Sequence, residues 1–367
     1  MTQEREPMAR VKETLKVSWY RCPIPPDKLR ELTRRSDLRG AIQTLGFLAL
    51  AAALAFVSWF FYSRGLWGLM AAGLFCYGTV FSFTPGLATH ELSHGTVFKT
   101  KWLNAIFLRF YSLLGWYHFH EYRRSHTYHH FYTLHPEGDR EVVLPATPSL
   151  HPLRLLLLFT LNVENLWNAL RWTTKLAFSG KFWREWSEAV FADDAPARAQ
   201  ARRWAWLLLG FHAAVIAVSV VFHLWLLIPL VTVGPFIANW WMYFVGMPMH
   251  TGLRDNVPDF RLCVRSITLD PFSRFIYWYM NYHTEHHMYA ADPCYNLPRL
   301  AKEIAGDMPK PRSVVGAWRE MRRIYKRQKT EPGYQFDTPL PQRAKGKEFA
   351  KDALGASIGD LAPKGLA

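Results

Sequence analysis

The chain has 367 residues, half of them hydrophobic and 16% aromatic, and its 44 basic and 29 acidic residues give a formal net charge of +15. The four widely spaced cysteines argue against a disulfide framework and against a thiolate metal site. No nucleic-acid-binding motif accompanies the basic excess, which flanks apolar segments and therefore predicts contact with an anionic membrane surface.

The first predicted elements are a polar segment at residues 1–40 and a hairpin of apolar runs at residues 41–62 and 66–88. Each run is long enough to cross a hydrocarbon core of roughly 30 Å at about 1.5 Å per residue. A second hairpin is predicted from the apolar runs at residues 204–221 and 224–246. These runs predict an all-α integral membrane fold with four transmembrane helices in two hairpins.

Shorter segments lie between and after the hairpins. Residues 102–117 predict a re-entrant or interfacial helix, and residues 153–172 predict an amphipathic helix along the membrane interface. The membrane domain is expected to end near residue 307, so that it covers residues 41–307. A basic C-terminal tail at 308–367 follows, with a short helix near its start, at residues 314–327.

The predicted topology also orients the chain. Four crossings put residues 1–40, 90–203 and 247–367 on one side of the membrane. The turns on the other side carry Arg64 and no lysine. Because basic residues are enriched on the cytoplasmic side, we expect cytoplasmic termini, a cytosolic cap on the helix ends, and a multi-pass protein of the inner (cytoplasmic) membrane.

Three stretches of the chain, here called the histidine boxes, place histidines one helical turn apart. Positions i, i+3 and i+4 of a helix share one face, so each box directs its imidazoles the same way. Box one holds His90 and His94, box two holds His126, His129 and His130, and box three holds His283, His286 and His287. Eight imidazoles on one side of a membrane are too many for one ion and predict two metal ions.

The ligand type narrows the metal. All-imidazole sites suit zinc, copper or iron, and two metals in a nitrogen-rich shell indicate redox or oxygen chemistry. Metal-bound imidazoles usually donate their second N–H to an acceptor. The candidate groups near the boxes are the carboxylates, together with one amide that could hold a metal-bound water: Glu91, Glu121, Asp139, Glu285 and Asn256.

The sequences HELSH, SHTYHH and NYHTEHHMY resemble the three histidine boxes of the membrane fatty acid desaturase family. The resemblance extends over roughly residues 84–300. The segment Met-Pro-Met-His250-Thr-Gly-Leu is similar to the segment that precedes box three in bacterial members, where an extra histidine joins the metal ligands. The resemblance therefore implies His250 as a ninth ligand.

The resemblance implies a non-haem di-iron centre that uses O2 to desaturate the acyl chain of a fatty acid or lipid. No fused electron carrier is recognisable, so electrons are expected from an external ferredoxin or a cytochrome b5-like protein with its reductase. The acyl chain is expected to enter a tunnel whose candidate lining residues are aromatic: Trp116, Tyr117, Trp240, Trp241, Tyr243, Trp278 and Tyr279.

Other reactions of the same scaffold stay open. In many relatives the motif after box three ends in a histidine, whereas here Leu297-Pro-Arg-Leu-Ala301 lacks it. This departure leaves the ligand histidines intact and alters the expected substrate mouth. A hydroxylase, a ketolase and an alkene-forming fatty acid decarboxylase are therefore alternatives to a desaturase.

Two alternatives belong to other classes of protein. Box one also fits the HExxH motif of a zinc membrane protease, with Glu91 as general base, although both HxxHH triplets are then unexplained. A histidine-rich metal transporter would carry ligands within its spans, whereas the predicted spans hold almost no ionisable residue apart from His212 and His223. Two irons per chain would support the desaturase, and one zinc would support the protease.

Overall fold

The computed structural model describes residues 8–144 and 146–342, which form helices with almost no sheet. The all-α prediction is therefore confirmed for the described residues. The N-terminal segment is described from residue 8 and the predicted C-terminal tail as far as residue 342, so the remainder of both lies outside the described residues.

The chain begins with two short helices and a long apolar one: α1 (Met8–Thr14), α2 (Pro26–Leu32) and α3 (Asp37–Tyr62). The Ser36 hydroxyl accepts the Arg39 amide at the start of α3, and this cap satisfies an amide that the helix itself leaves unpaired. The capped polar turn explains why α3 starts before the predicted residue 41.

The next helix, α4 (Trp67–Phe81), packs tightly on α3, where a Cβ added to Gly73 would lie 2.8 Å from the Ser58 hydroxyl. A π-helical turn at Thr84–Ala88 joins α4 to α5 (Thr89–His94). Pro85 lacks an amide proton, which accounts for the local change of hydrogen-bonding pattern. Box one therefore lies at the end of a nearly continuous helical path from residue 67 to residue 94.

Box two lies on the second of two shorter helices, α6 (Lys101–Leu114) and α7 (Phe119–Tyr132). The α6 helix exposes Trp102 and Ile106 and buries Leu108 and Tyr111. A helix is therefore present in the segment predicted as a re-entrant or interfacial helix at residues 102–117, although it ends at Leu114.

The amphipathic segment predicted at residues 153–172 is two helices instead of one, α8 (Pro152–Phe159) and α9 (Val163–Ser179). Thr160 leaves the helical conformation, and the Asn162 side chain accepts the Asn165 amide to start α9. The short helix α10 (Glu185–Val190) follows.

The third long apolar helix is α11 (Ala195–Val221). The fourth predicted span, residues 224–246, is broken into a π-helical turn at Ile228–Thr232, a 3-10 turn at Gly234–Phe236 and the helix α12 (Trp240–Gly246). Pro229 and Pro235 lack amide protons and interrupt the helical hydrogen bonds. Among the described residues, three helices are therefore long and apolar enough to cross a membrane: residues 37–62, 67–94 and 195–221.

The C-terminal region consists of short elements and is here called the C-terminal cap. In chain order these are a 3-10 turn at Met247–Met249, α13 (Phe260–Cys263), β1 (Ile267–Thr268), α14 (Pro271–Ile276), α15 (His283–Met288), a 3-10 turn at Cys294–Asn296, α16 (Leu297–Ile304), a 3-10 turn at Ala305–Asp307, β2 (Arg312–Ser313) and α17 (Val314–Gln328). Strands β1 and β2 pair in parallel. The helix predicted at residues 314–327 is present as α17.

The largest hydrophobic core lies beside the histidine boxes. It includes four fully buried residues: Leu92 of α5, Tyr111 of α6, Leu297 of α16, and Trp278 from the segment between α14 and α15. This packing joins α5, which carries box one, to the C-terminal cap, which carries box three.

Candidate metal centre

Nine buried or partly buried histidines converge and separate into two clusters, and the ligand nitrogens of each cluster lie within 4.8 Å of one another. The five-histidine cluster contains His90, His94, His126, His130 and His286. The four-histidine cluster contains His129, His250, His283 and His287. The structure thus brings together all eight box histidines and His250, and each cluster could hold one metal ion.

Boxes two and three each supply rings to both clusters. On α7, His126 and His130 stand one turn apart and face the five-histidine cluster, whereas His129 faces the four-histidine cluster. On α15, two of the three rings face the four-histidine cluster, those of His283 and His287, and His286 faces the five-histidine cluster. Two short helices therefore hold the two clusters at a fixed spacing.

The ring nitrogens approach one another as ligands of one ion would. The Nε2 atoms of His126 and His130 are 3.0 Å apart, and those of His250 and His283 are 2.9 Å apart. Two imidazole nitrogens about 2.1 Å from one metal ion stand about 3 Å apart at a right angle. These distances fit a shared ion in each cluster.

Several of the convergent nitrogens have no protein partner. Among the described residues, Nε2 of His90, Nε2 of His94 and both ring nitrogens of His286 are buried without a hydrogen bond. An unpaired buried polar atom is costly. A metal ion would take one nitrogen from each ring and so satisfy His90, His94 and one of the two nitrogens of His286, whose Nδ1 lies 3.8 Å from Glu91 Oε1. The residues present therefore fit such an ion.

Two of the predicted carboxylates accept the outward N–H of a box histidine. Nδ1 of His90 donates to Glu91 Oε1 at 2.8 Å, and Nδ1 of His129 donates to Asp139 Oδ2 at 2.8 Å. With the proton on Nδ1, the lone pair of Nε2 is free to face the cluster.

Glu141 has the same arrangement, although no pattern in the sequence predicts it. Its Oε1 accepts from Nδ1 of His126 at 2.8 Å, and its Oε2 accepts from the Ser125 hydroxyl at 2.7 Å. The signal lay in a second acidic residue two positions after Asp139. The loop that brings Glu141 back to α7 has no periodic pattern from which its contact with His126 could be predicted.

The other three polar candidates lie elsewhere. Glu121 accepts a hydrogen bond from Ser187, and Glu285 accepts one from Ser266. The Asn256 side chain is exposed and contacts Asp255. None of these three contacts, within the described residues, involves a nitrogen of a clustered histidine.

Burial keeps most of these imidazoles neutral, which is the form that binds a metal. Loss of solvent lowers the pKa of His250 to about 3. Burial acts on His129 in the same direction, but the adjacent Asp139 carboxylate outweighs it and raises the pKa of this ring. Burial lowers the pKa of the remaining box-two and box-three histidines well below its usual value: His126, His130, His283, His286 and His287.

The seven aromatic residues predicted to line a tunnel lie in different surroundings. Trp278 is fully buried beside Phe47. Trp116 is buried, and its indole N–H donates to the Thr232 carbonyl at 2.8 Å. The others are partly buried: Tyr117, Trp240, Trp241, Tyr243 and Tyr279.

Comparison with known proteins agrees with this geometry. Residues 65–317 match the profile of the family described as Fatty acid desaturase, and this stretch contains all nine clustered histidines. No curated protein gives a significant match to the chain. The match covers more than half of the sequence, so the chain belongs to the fatty acid desaturase family, and the resemblance seen in the sequence is confirmed. Family membership and the three long apolar helices identify a membrane protein and an oxidoreductase.

Proposed function

We propose that this member of the fatty acid desaturase family is an O2-dependent di-iron desaturase that introduces a double bond into the acyl chain of a fatty acid or lipid. The observation that carries the proposal is the division of nine histidines into clusters of five and four. An unactivated C–H bond offers side chains neither an acidic proton nor a polarised carbonyl, so a redox metal has to supply the reactivity.

The five-histidine cluster would hold one iron and the four-histidine cluster the other. Bound there, the irons supply the oxidising power for hydrogen abstraction. The protein's own contribution is to fix the rings: Glu91, Asp139 and Glu141 each accept an Nδ1–H and keep Nε2 deprotonated toward its cluster. Burial excludes water from the rings, which favours their neutral form.

The overall reaction balances with an external electron source. Two hydrogen atoms leave adjacent carbons of the acyl chain, and two electrons and two protons arrive from outside. Together they reduce O2 to two molecules of water. The donor is a ferredoxin or a cytochrome b5-like protein with its reductase.

The membrane arrangement belongs to the same proposal. Residues 41–307 form the membrane domain, with the broken segment 224–246 completing a fourth crossing beside three continuous helices. The amide of Ala238 donates to the Thr160 carbonyl, and the amide of Asn162 donates to the Phe236 carbonyl. These bonds satisfy irregular backbone, which is the condition for tolerating it at membrane depth. The termini and the histidine clusters face the cytoplasm, in a protein of the inner (cytoplasmic) membrane.

The substrate path is proposed on the aromatic residues near the core. Trp116 and Trp278 are buried, and the other five are partly buried. Glu121, Glu285 and Asn256 are proposed to support the segments around the ligands and not the ligand rings themselves, since their side chains contact other groups.

The zinc protease alternative is weakened by the surroundings of box one. His90 and His94 share their cluster with three further histidines. Glu91, the general base in that reading, accepts the outward N–H of His90 instead of standing free.

The decisive experiment is metal and product analysis of the purified protein in lipid nanodiscs. Iron content is measured, and then a reduced donor, O2 and acyl lipids are added and the products are analysed by mass spectrometry. A product that has lost two hydrogen atoms supports the desaturase. A product that has gained one oxygen indicates hydroxylation, and one that has lost carbon dioxide indicates decarboxylation. One zinc per chain with no O2 consumption would overturn the proposal.

A further inference from the structure

The α17 helix has two chemically distinct faces. Its inner face buries Ala317, Trp318, Met321 and Ile324. Its outer face exposes four basic side chains at the i, i+3, i+4 and i+7 positions: Arg319, Arg322, Arg323 and Lys326. The buried apolar face explains why the helix docks, but it does not explain the run of basic residues outside.

These four cations have no protein partners in the described part of the chain. The one carboxylate within α17, Glu320, instead bonds Arg265 and Arg312. Neighbouring like charges on a helix are destabilising. Holding four of them together therefore favours an external anionic partner.

The helix packs against the segment that carries His250 of the four-histidine cluster. The Trp318 indole donates to the Phe244 carbonyl at 2.8 Å, and a Cβ on Gly252 would lie 3.0 Å from Ile324. Gly252 is two residues beyond His250. The side chain of Arg265 continues the link, because it bonds Glu320 of α17 and the backbone carbonyls on either side of His250, those of Pro248 and Thr251.

The outer face of α17 is unlike the surfaces of this chain that suit a bilayer. A helix that lies in a membrane interface presents exposed apolar side chains together with basic ones. The α6 helix does so, with Trp102 61% and Ile106 54% exposed. On α17 the only large exposed apolar side chain is Val315, at the first turn. A protein partner therefore fits this face better than a lipid surface.

We propose that the outer face of α17 is the docking surface for an acidic one-electron carrier protein. The proposal rests on the proposed function, which requires two external electrons per turnover. Each reduced carrier would give up one electron per encounter, so two encounters would supply the two electrons that one turnover needs. Complementary charge accelerates such encounters and makes them sensitive to salt, and the packing of α17 against the segment bearing His250 brings the carrier close to the cluster.

The test uses the iron-loaded full chain in neutral-lipid nanodiscs and an acidic plant-type [2Fe–2S] ferredoxin as the probe. The charge-reversal variant is Arg319→Glu, Arg322→Glu, Arg323→Glu and Lys326→Glu combined. Its matched control carries Arg319→Lys, Arg322→Lys and Arg323→Lys, which preserve the charge. Equilibrium binding of ferredoxin and the ferredoxin concentration that half-saturates O2 consumption are measured at two salt concentrations.

We expect the reversal variant to need at least about tenfold more ferredoxin for half-saturation, and the lysine control to stay within about twofold of the unchanged protein. Binding to the unchanged protein should weaken as salt rises. Turnover driven by reduced methyl viologen, a small reductant that needs no docking surface, should be equal in all three proteins and shows that the variants fold and hold iron.

Unchanged ferredoxin dependence in the reversal variant would overturn the docking surface. A second result would also overturn it: anionic phosphatidylglycerol vesicles bind the unchanged protein but not the reversal variant, while ferredoxin binds both. The face would then bind lipid. Failure of the proposed function looks different: the unchanged protein would hold no iron or show no turnover with methyl viologen.

Discussion

Nε2 of His283 lies 2.9 Å from Nε2 of His250, although 33 residues separate the two histidines in the chain. His250 follows the 3-10 turn after α12, and His283 is the first residue of α15. The Nδ1–H of His250 donates to the Cys263 carbonyl at 3.1 Å, which turns Nε2 toward His283. The four-histidine cluster therefore depends on a ring outside the three boxes.

Replacing His250 with Ala should remove one of the two irons. The four-histidine cluster would lose a ligand while the five-histidine cluster keeps its full set, so iron content should fall from about two to about one per chain, and turnover should be abolished. Elemental analysis of the purified protein measures this. His151→Ala is the matched control, because His151 is exposed and caps α8 away from both clusters. Two irons retained in the His250 variant would refute its role as a ligand.

Replacing Glu141 with Gln should weaken iron binding by about tenfold to a hundredfold. The neutral amide accepts less strongly from Nδ1 of His126, so the proton moves more easily to Nε2, where it blocks ligation. Glu121→Gln is the control, because Glu121 bonds Ser187 instead of a clustered histidine. Titration with a competing chelator measures both affinities. Equal iron affinities for the two variants would contradict the assignment of Glu141, and not Glu121, as the acceptor that orients a ligand histidine.

Replacing Trp19 with Ala should destabilise the protein by roughly 3 kcal/mol, because a large aromatic contact is lost. The Trp19 ring stacks on Phe260 at 4.0 Å, and its indole N–H donates to the Phe131 carbonyl on α7. The comparison variant is Trp167→Ala, at a site 61% exposed. Thermal unfolding in detergent should show a clearly lower melting temperature only for the Trp19→Ala variant. A similar melting temperature for both would show that the N-terminal segment does not brace α7.

Replacing Gly78 with Ala should destabilise the membrane domain. The added Cβ would stand 2.6 Å from both the Ile237 carbonyl and its side chain, so α4 would have to move away from the broken segment. Gly68→Ala on the same helix meets nothing within 4 Å and should be neutral or slightly stabilising, because alanine favours helix. The amount of monodisperse protein after extraction tests the pair, and equal amounts would argue against this close approach.

Removing the iron should make the free energy of unfolding depend on pH. Burial lowers the pKa of His126, His130 and His283 below the ordinary value, so the folded, iron-free protein binds fewer protons than the unfolded chain. Stability is then complete above the ordinary histidine pKa of about 6.5 and falls as the pH drops below it. Melting temperatures between pH 7.5 and about 5 measure this for chelator-treated and iron-loaded protein. A flat profile for the iron-free protein would contradict the expectation.

The sequence predicted the fold where a pattern is local. Runs such as residues 41–62 are long and mostly apolar, so their helices follow from length and composition. Hydropathy does not predict the break in residues 224–246, because it averages over Pro229 and Pro235. Those prolines interrupt the helix, and the segment around Thr160 supplies the hydrogen bonds that allow the break.

The sequence by itself determined the helical boxes, since histidines at i, i+3 and i+4 face one way on any helix, and it determined the family through those motifs. Only the tertiary structure decided how the rings divide, sending His126 and His130 to one cluster and His129 to the other. It also decided that Glu141, and not Glu121, accepts from a clustered ring. The physical reason is that helical periodicity sets directions within one element, whereas the meeting of rings from α5, α7, α15 and the loop of His250 depends on how a shared core packs those elements together.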